Sequence, residues 1–352
     1  MSSSARATLL GPLLKGVSRS FYLTLRILPA GMRDPVGLAY LLARAADTIA
    51  DTSLIAPEKR MRLLLSFRDQ VNGAPDGAAL KVIADEVARQ QKDSDEKVLL
   101  ESLGSALALL SQSEESDRAS IREIVSTLIE GMEFDLSTFP DESSGSLVAL
   151  QKFEEIDRYT YMVAGCVGEF WTKMTYSHTS VTTSISPEAM VERGIRLGKA
   201  LQMTNVLRDC GKDLRIGRCY LPETMLAQLN LTPQELLLRE NSLRARPVLY
   251  SLIGTALDNY REGLRYTVAL PPLSVRLRLA CLWPIVIGLE TLSLLVQNEN
   301  WLSPDYPSKV SREKVYRLIL RSFPAVISNR AIRNWGEDLI ERIDAQMRLH
   351  PL

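Results

Sequence analysis

The stretch Gly198–Pro222, GKALQMTNVLRDCGKDLRIGRCYLP, decides how this chain folds. Its polar residues Gln202, Asn205, Asp209 and Asp213 recur at steps of three, four and four. On an α-helix those steps keep all four on one stripe. Leu201, Val206 and Leu207 take the opposite positions, so the spacing predicts a helix with apolar backing. A solvated helix face ordinarily carries Lys and Glu. Two carboxylates and two carboxamides in register suit a hard cation better. Magnesium takes oxygen ligands, often one or two carboxylates plus a substrate phosphate, and keeps several waters. Arg208 and Arg218 stand nearby in sequence as phosphate partners. A solvated helix end is the plainer reading of this stretch alone.

Upstream, GLAYLLARAADTIADTS repeats the pattern. Tyr40, Arg44, Asp47 and Asp51 fall on one stripe of a strongly apolar helix, at steps of four, three and four. Two such helices facing each other would set four carboxylates around one cavity, where their repulsion demands cations. A cluster of magnesium ions gripping a diphosphate meets that demand. The matching chemistry is ionisation of an allylic diphosphate, with metal as Lewis acid and leaving-group clamp.

Four blocks together give the chain a family resemblance: SRSF at Ser18–Phe21, ARAADTIAD at Ala43–Asp51, DRYTYMVAGCVG at Asp157–Gly168, and TNVLRDCGKDLRIGRCYLP at Thr204–Pro222. In this order they resemble the squalene/phytoene synthase family, the head-to-head prenyl synthases. The resemblance implies an all-α, single-domain isoprenoid-synthase-type bundle around a central cavity. It would occupy residues 1–352, with a catalytic core over 17–310. It also implies magnesium on Asp47, Asp51, Asp209 and Asp213, and diphosphate contacts from Ser18, Arg19, Ser20 and Phe21. Tyr40, Arg44, Gln202, Asn205, Arg208 and Arg218 join the substrate set. Tyr159 matches the family tyrosine proposed to manage the proton lost on cyclopropane closure. With an unperturbed pKa near 10, it needs the released diphosphate or a hydrogen-bond relay to take that proton.

The C-terminal third resembles the squalene synthase branch: Cys281-Leu-Trp-Pro284, Thr291-Leu292, Asn298, then Lys309-Val-Ser-Arg312. Trp283 beside a helix-bending Pro284 suits the cap of an apolar cavity, and equally a core tryptophan. Lys309, Arg312 and Lys314 suit the phosphate of NADPH, or a surface basic turn. There is no Gly-x-Gly-x-x-Gly fingerprint, so NADPH rests on the resemblance and the basic segment. Two positions depart from many family members: Ala50 and Lys212 stand where an acidic residue often precedes the last Asp of each motif. The implied reaction joins two farnesyl diphosphates through presqualene diphosphate to squalene. Phytoene or dehydrosqualene synthesis without NADPH, water quenching to hydroxysqualene, and arrest at presqualene diphosphate are the alternatives. Outside enzymes stand a non-catalytic helical partner and a plain scaffold; retention of the aspartates, arginines and Tyr159 argues against the first, and the two matched stripes against the second.

Composition fits a globular protein: 352 residues, 46% hydrophobic and 24% charged. The 42 basic residues balance 42 acidic ones, which disfavours a nucleic-acid partner. Cys166, Cys210, Cys219 and Cys281 form no Cys-x-x-Cys, and only His178 and His350 accompany them, so reduced cytoplasmic thiols are expected rather than zinc. The start lacks the long apolar core of a signal peptide. The run Leu279–Val296 contains Pro284, Gly288 and Glu290, so a buried helix is expected and no membrane anchor. An oily substrate favours peripheral membrane contact, and a monomer or weak homo-oligomer is expected.

Period-two stretches are scarce and helical periodicity dominates. Asp34-Pro35 reads as cap and first turn of the first aspartate helix. Ser111–Arg118 reads as a solvated turn. Tyr161, Gly165, Gly168 and Thr172 make a small-residue stripe, either for close helix packing or as a bare groove wall.

Overall fold

Helical spacing governs the chain, as its periodicity requires: 77% of it is helical. The computed structural model describes residues 3–18 and 21–349. In order these are α1 (Ser3–Thr8), a π-helical turn (Leu9–Leu13), α2 (Leu14–Ser18), α3 (Phe21–Ile27), α4 (Ala30–Asp51), α5 (Pro57–Asn72), α6 (Gly77–Ala88), α7 (Ser94–Glu101), α8 (Leu103–Ser111) and α9 (Glu115–Thr138). Then follow β1 (Val148–Ala149), α10 (Phe153–Thr160), a second π-helical turn (Tyr161–Gly165), α11 (Cys166–His178), α12 (Pro187–Arg215), β2 (Arg218–Cys219) and α13 (Glu223–Ala227). After a 3-10 turn (Pro233–Leu237) come α14 (Asn241–Arg244), α15 (Arg246–Ala269), α16 (Val275–Gln297), α17 (Arg312–Ala325) and α18 (Asn329–Leu349). Among the described residues β1 and β2 are the strands, two residues each and paired in parallel. The chain packs as two compact units, Met1–Ser137 with Phe170–Ser180, and Thr138–Glu169 with Val181–Leu352.

The first unit is built on α4. Its inner face, Leu41, Leu42, Ala45, Ala46 and Ile49, is fully buried. A buried leucine or isoleucine contributes about 1.5–3 kcal/mol, so this face outweighs the polar stripe it carries. The helix starts at Ala30, five residues before Pro35, the first residue of the helix that the Asp34 cap would give, and Pro35 lies inside it. Pro35 forfeits one backbone hydrogen bond. Burial of Met32 and Val36 one turn apart nevertheless holds the extra turn in place. The expected solvated turn is also shorter than the sequence suggests. α9 begins at Glu115, and Asp117 is buried, its carboxylate 2.7 Å from His178 Nε2.

In the second unit, α15 packs between α12 and α16. Thr204 Oγ1 and Tyr260 Oη share a buried 2.9 Å hydrogen bond. On the other side, a Cβ on Gly288 would lie 1.9 Å from Tyr260 Oη, so glycine is what admits that ring against α16. α16 is long and apolar enough to cross a membrane by length and composition, but 83% of its apolar window is buried inside the unit. It is a core helix, as the glutamate and proline within it suggested. All four cysteines carry buried thiols, none in a disulfide.

The small-residue stripe is not one regular helix. A π turn at Tyr161–Gly165 separates α10 from α11 and shifts its phase. The glycines serve close packing: a Cβ on Gly168 would lie 1.9 Å from the Gly194 carbonyl oxygen, and one on Gly198 2.1 Å from that of Ala164.

Candidate functional site

Both aspartate stripes form as the spacing predicts, one in each unit. On α4 the stripe is tied down at both ends. Tyr40 Oη donates to the Val17 carbonyl at 3.4 Å. Arg44 reaches Asp47 at 2.5 Å and also grips Glu96 of α7. Asp51 is exposed at the end of the helix. Burial, then repulsion from Asp51, pushes the Asp47 carboxyl up to about 7, against the opposing pull of Arg44. Since 39% of the Asp47 side chain remains exposed, solvent screens part of that penalty. Glu96 adds a third carboxylate. Sequence reasoning missed it because α7 carries no matched spacing, and only the packing of α7 on α4 brings it to Arg44.

On α12, Asn205 Nδ2 donates to Gln202 Oε1 at 3.4 Å. Arg208 forks onto Asp209, Nε at 3.1 Å and the terminal nitrogen at 2.5 Å. Asp213 lies half-buried one turn further on. Arg218, on β2, is held by Glu142 at 2.9 Å, with both side chains largely buried. Lys212 is exposed, and Ala50 is buried.

Tyr159 lies in the last turn of α10 and is buried. It donates to Tyr220 Oη at 3.3 Å, and the two rings stack at 4.9 Å between centroids. Tyr220 stands in the fourth sequence block, within Cys-Tyr-Leu-Pro, but no spacing rule links it to Tyr159. The β1–β2 pairing brings it there. Two residues before Tyr159, Asp157 pairs with Lys199 of α12 at 2.5 Å.

The remaining expected residues are placed as follows. Ser18 is buried and donates to the Leu14 carbonyl, so its hydroxyl is used within its own helix. Phe21 opens α3. Arg19 and Ser20 lie outside the described residues. Trp283 is buried and its indole donates to Ser322 Oγ of α17 at 2.8 Å, the geometry of a core tryptophan. Lys309 and Arg312 are exposed and, among the described residues, make no ion pair. Lys314 is engaged with Glu290 at 3.2 Å, as is Arg342 at 3.0 Å.

Among the described residues no three His, Cys, Asp or Glu side chains gather into a ready-made metal cage. Magnesium does not need one, because waters and substrate phosphate complete its shell. The Asp47–Asp51 pair fits it on its own terms: its mutual repulsion is the kind a divalent cation relieves. Lys309 and Arg312, around the first turn of α17, fit a phosphate group.

Compared with known proteins, residues 14–314 match the family model for squalene/phytoene synthase. The chain belongs to the squalene/phytoene synthase family. It is 27% identical over 319 residues to the squalene synthase ERG9 of Saccharomyces cerevisiae, covering 88% of this chain and 66% of that one. Against the presqualene diphosphate synthase of Zymomonas mobilis it is 27% identical over 237 residues, 65% of this chain and 64% of that one. A bifunctional lycopene cyclase/phytoene synthase of Colletotrichum graminicola is 28% identical over 254 residues, 70% of this chain and 39% of that one. The chain therefore spans two thirds or less of the length of these relatives. The TcSQS complex with the ligand E5700 has a similar fold, at a TM-score of 0.72 and 21% identity, with 99% of this chain and 100% of that chain covered.

Proposed function

We propose that this protein joins two farnesyl diphosphates head to head to presqualene diphosphate and then reduces it with NADPH to squalene. The observation that supports the reading is the pair of aspartate stripes, Asp47 with Asp51 on α4 and Asp209 with Asp213 on α12, the Asp47 carboxyl being raised by burial and by Asp51. A fold tolerates such a pair at a cost in stability when the pair is used to hold a cation. Asp47 and Asp51 in the first unit, and Asp209 and Asp213 in the second, would hold magnesium, which supplies Lewis-acid assistance to the departing diphosphate. Arg44, Arg208 and Arg218 would orient phosphate oxygens by exchanging their present carboxylate partners for the ligand. Arg19 belongs to the same set. Tyr159 would pass on the proton lost on cyclopropane closure, giving its own hydroxyl proton to Tyr220 at 3.3 Å, with the released diphosphate as the final acceptor. The burial of both phenols keeps water from that proton path, and water would trap the allylic cation as an alcohol. Lys309 and Arg312 would hold the phosphate of NADPH.

The test is incubation of purified protein with farnesyl diphosphate and magnesium, with and without NADPH, and identification of the products by mass spectrometry. Squalene only with NADPH supports the reading. Dehydrosqualene regardless of NADPH moves the protein to the carotenoid branch and returns Lys309 and Arg312 to surface charges. Phytoene from geranylgeranyl diphosphate alone keeps the metal site and overturns the substrate. Asp47→Asn or Asp209→Asn should abolish diphosphate release, and near-normal turnover in either would refute the metal assignment.

A further inference from the structure

Arg44 is shared between two carboxylates from different helices. Its Nη1 reaches Asp47, one turn further along α4, at 2.5 Å, and its Nη2 reaches Glu96 of α7. Nε is buried and has no hydrogen-bond partner among the described residues, so the two terminal nitrogens alone fix the guanidinium. The two carboxylates differ in access. The Asp47 side chain is 39% exposed and that of Glu96 only 14%. The open one belongs to the aspartate stripe, where a hydrated cation can reach it. The enclosed one lies off the stripe, on a second helix.

Glu96 is held in place by its own helix. The Asp93 carboxylate caps α7, accepting from the backbone N–H of Asp95 at 2.9 Å and of Glu96 at 3.4 Å. Gly16 of α2 leaves the room that the Asp95 carboxylate fills. Leu99 and Leu100 bury the next turn. The start of α7 is thereby seated against α2 as well as α4. Glu96 is not a third metal ligand beside Asp47 and Asp51, since among the described residues no three such side chains gather around one point. Its link to the stripe is Arg44. When Asp47 gives its charge to magnesium, Nη1 loses its counter-charge, whereas Nη2 keeps Glu96. Without Glu96, a long flexible side chain would be free to swing away from the like charge of the metal.

Given the magnesium site proposed above, we propose that Glu96 is a positioning residue for the diphosphate. It holds Arg44 beside Asp47 while Asp47 turns to the metal, so that the freed Nη1 meets a phosphate oxygen of the diphosphate. Arg44 thus gives up one of its two partners rather than both. A guanidinium anchored through one terminal nitrogen keeps a fixed plane, which is what recognition of a phosphate by a planar fork requires. A plain tether between α7 and α4 would make the same two contacts, but its loss would lower stability and leave diphosphate affinity untouched.

The test is isothermal titration of the full chain with inorganic diphosphate in magnesium chloride, beside metal-free melting curves that verify folding. Glu96→Ala should weaken diphosphate binding about tenfold, the scale of one charge-assisted hydrogen bond. Glu96→Gln keeps an oxygen that can accept from Nη2 and should recover most of that loss. Glu96→Met, similar in volume and without the acceptor, should behave as alanine does and keeps the test open if the alanine variant does not fold. In an Arg44→Gln background Glu96→Ala should add no further loss, because the arginine it acts through is gone. Affinity equal to wild type in Glu96→Ala and Glu96→Met, with only the melting temperature lowered, makes the pair a plain tether and overturns this proposal alone. An undiminished tenfold loss in the Arg44→Gln background means that Glu96 acts on the metal by charge, and overturns it too. A wild type that binds no diphosphate with magnesium overturns the metal site itself, and the role of Glu96 with it.

Discussion

Replacing Gly198 by alanine tests whether α12 and the π turn after Tyr159 are in backbone contact. The new Cβ would lie 2.1 Å from the Ala164 carbonyl oxygen and 2.9 Å from the Gly165 Cα. Carbon–oxygen contacts under 3.0 Å are essentially never found, so the two backbones must part by about 0.9 Å. Neither atom belongs to a side chain that can rotate away. Overpacking of this kind costs about 1–3 kcal/mol. Helix propensity offsets it, since alanine in a helix interior is favoured over glycine by roughly 1 kcal/mol. The expected net loss is about 1–2 kcal/mol, a fall in melting temperature of about 2–8 °C. Gly254→Ala is the internal control. It lies inside α15 with nothing within 4 Å of its would-be Cβ, so it should stabilise by up to about 1 kcal/mol. Differential scanning calorimetry of both variants decides the matter. Should Gly198→Ala melt at or above wild type, the inferred close approach of α12 to the Ala164 carbonyl is wrong.

Asp47 gives a pH signature. Its folded carboxyl, at about 7, lies above the ordinary range near 4, so its stabilising contribution is complete below about pH 4 and is lost as pH rises through about 7. Metal-free Asp47→Asn lacks that slope and should melt above wild type at about pH 8 but level with it at about pH 4; parallel curves for the two proteins would refute the raised carboxyl. Tyr159→Phe removes one long hydrogen bond, so stability should hold within about 1 kcal/mol while turnover falls by roughly 10²–10⁴-fold, read by product formation against a melting curve. Glu290→Gln leaves Lys314 and Arg342 without their shared buried carboxylate. Because both cations are 42% exposed, the expected cost is about 1–3 kcal/mol in chemical denaturation, below that of a fully buried pair.

The helices and the two aspartate stripes were legible because both rest on local periodicity. Gln202 to Asp213 and Tyr40 to Asp51 need only 3.6 residues per turn and an apolar opposite face to be placed. Helix starts were less legible. Pro35 signals a first turn by local rules, yet tertiary burial of Met32 extends α4 past it. The partners of the site residues were not legible at all. Glu96, Glu142 and Tyr220 reach Arg44, Arg218 and Tyr159 across separations of 52, 76 and 61 residues. No spacing rule spans such distances. Asp117 failed the same way: it reads as a surface charge, and its burial depends on a histidine 61 residues away.

The π turn at Tyr161–Gly165 also works as a phase shifter. In an α-helix each residue advances the chain about 100° around the axis, so one added residue in a turn rotates everything before it relative to everything after. Downstream, Gly168 is locked in azimuth by its contact with the Gly194 carbonyl. Upstream, Tyr159 is locked by its stack on Tyr220. These two angular demands are independent, and a regular helix has no free variable with which to meet both. Deleting one residue from 161–165 would leave the composition of this segment nearly unchanged and every remaining side chain intact, yet would swing the Tyr159 hydroxyl about a quarter-turn off its relay. Chain length within this one turn, rather than residue identity, is therefore what aims the phenol.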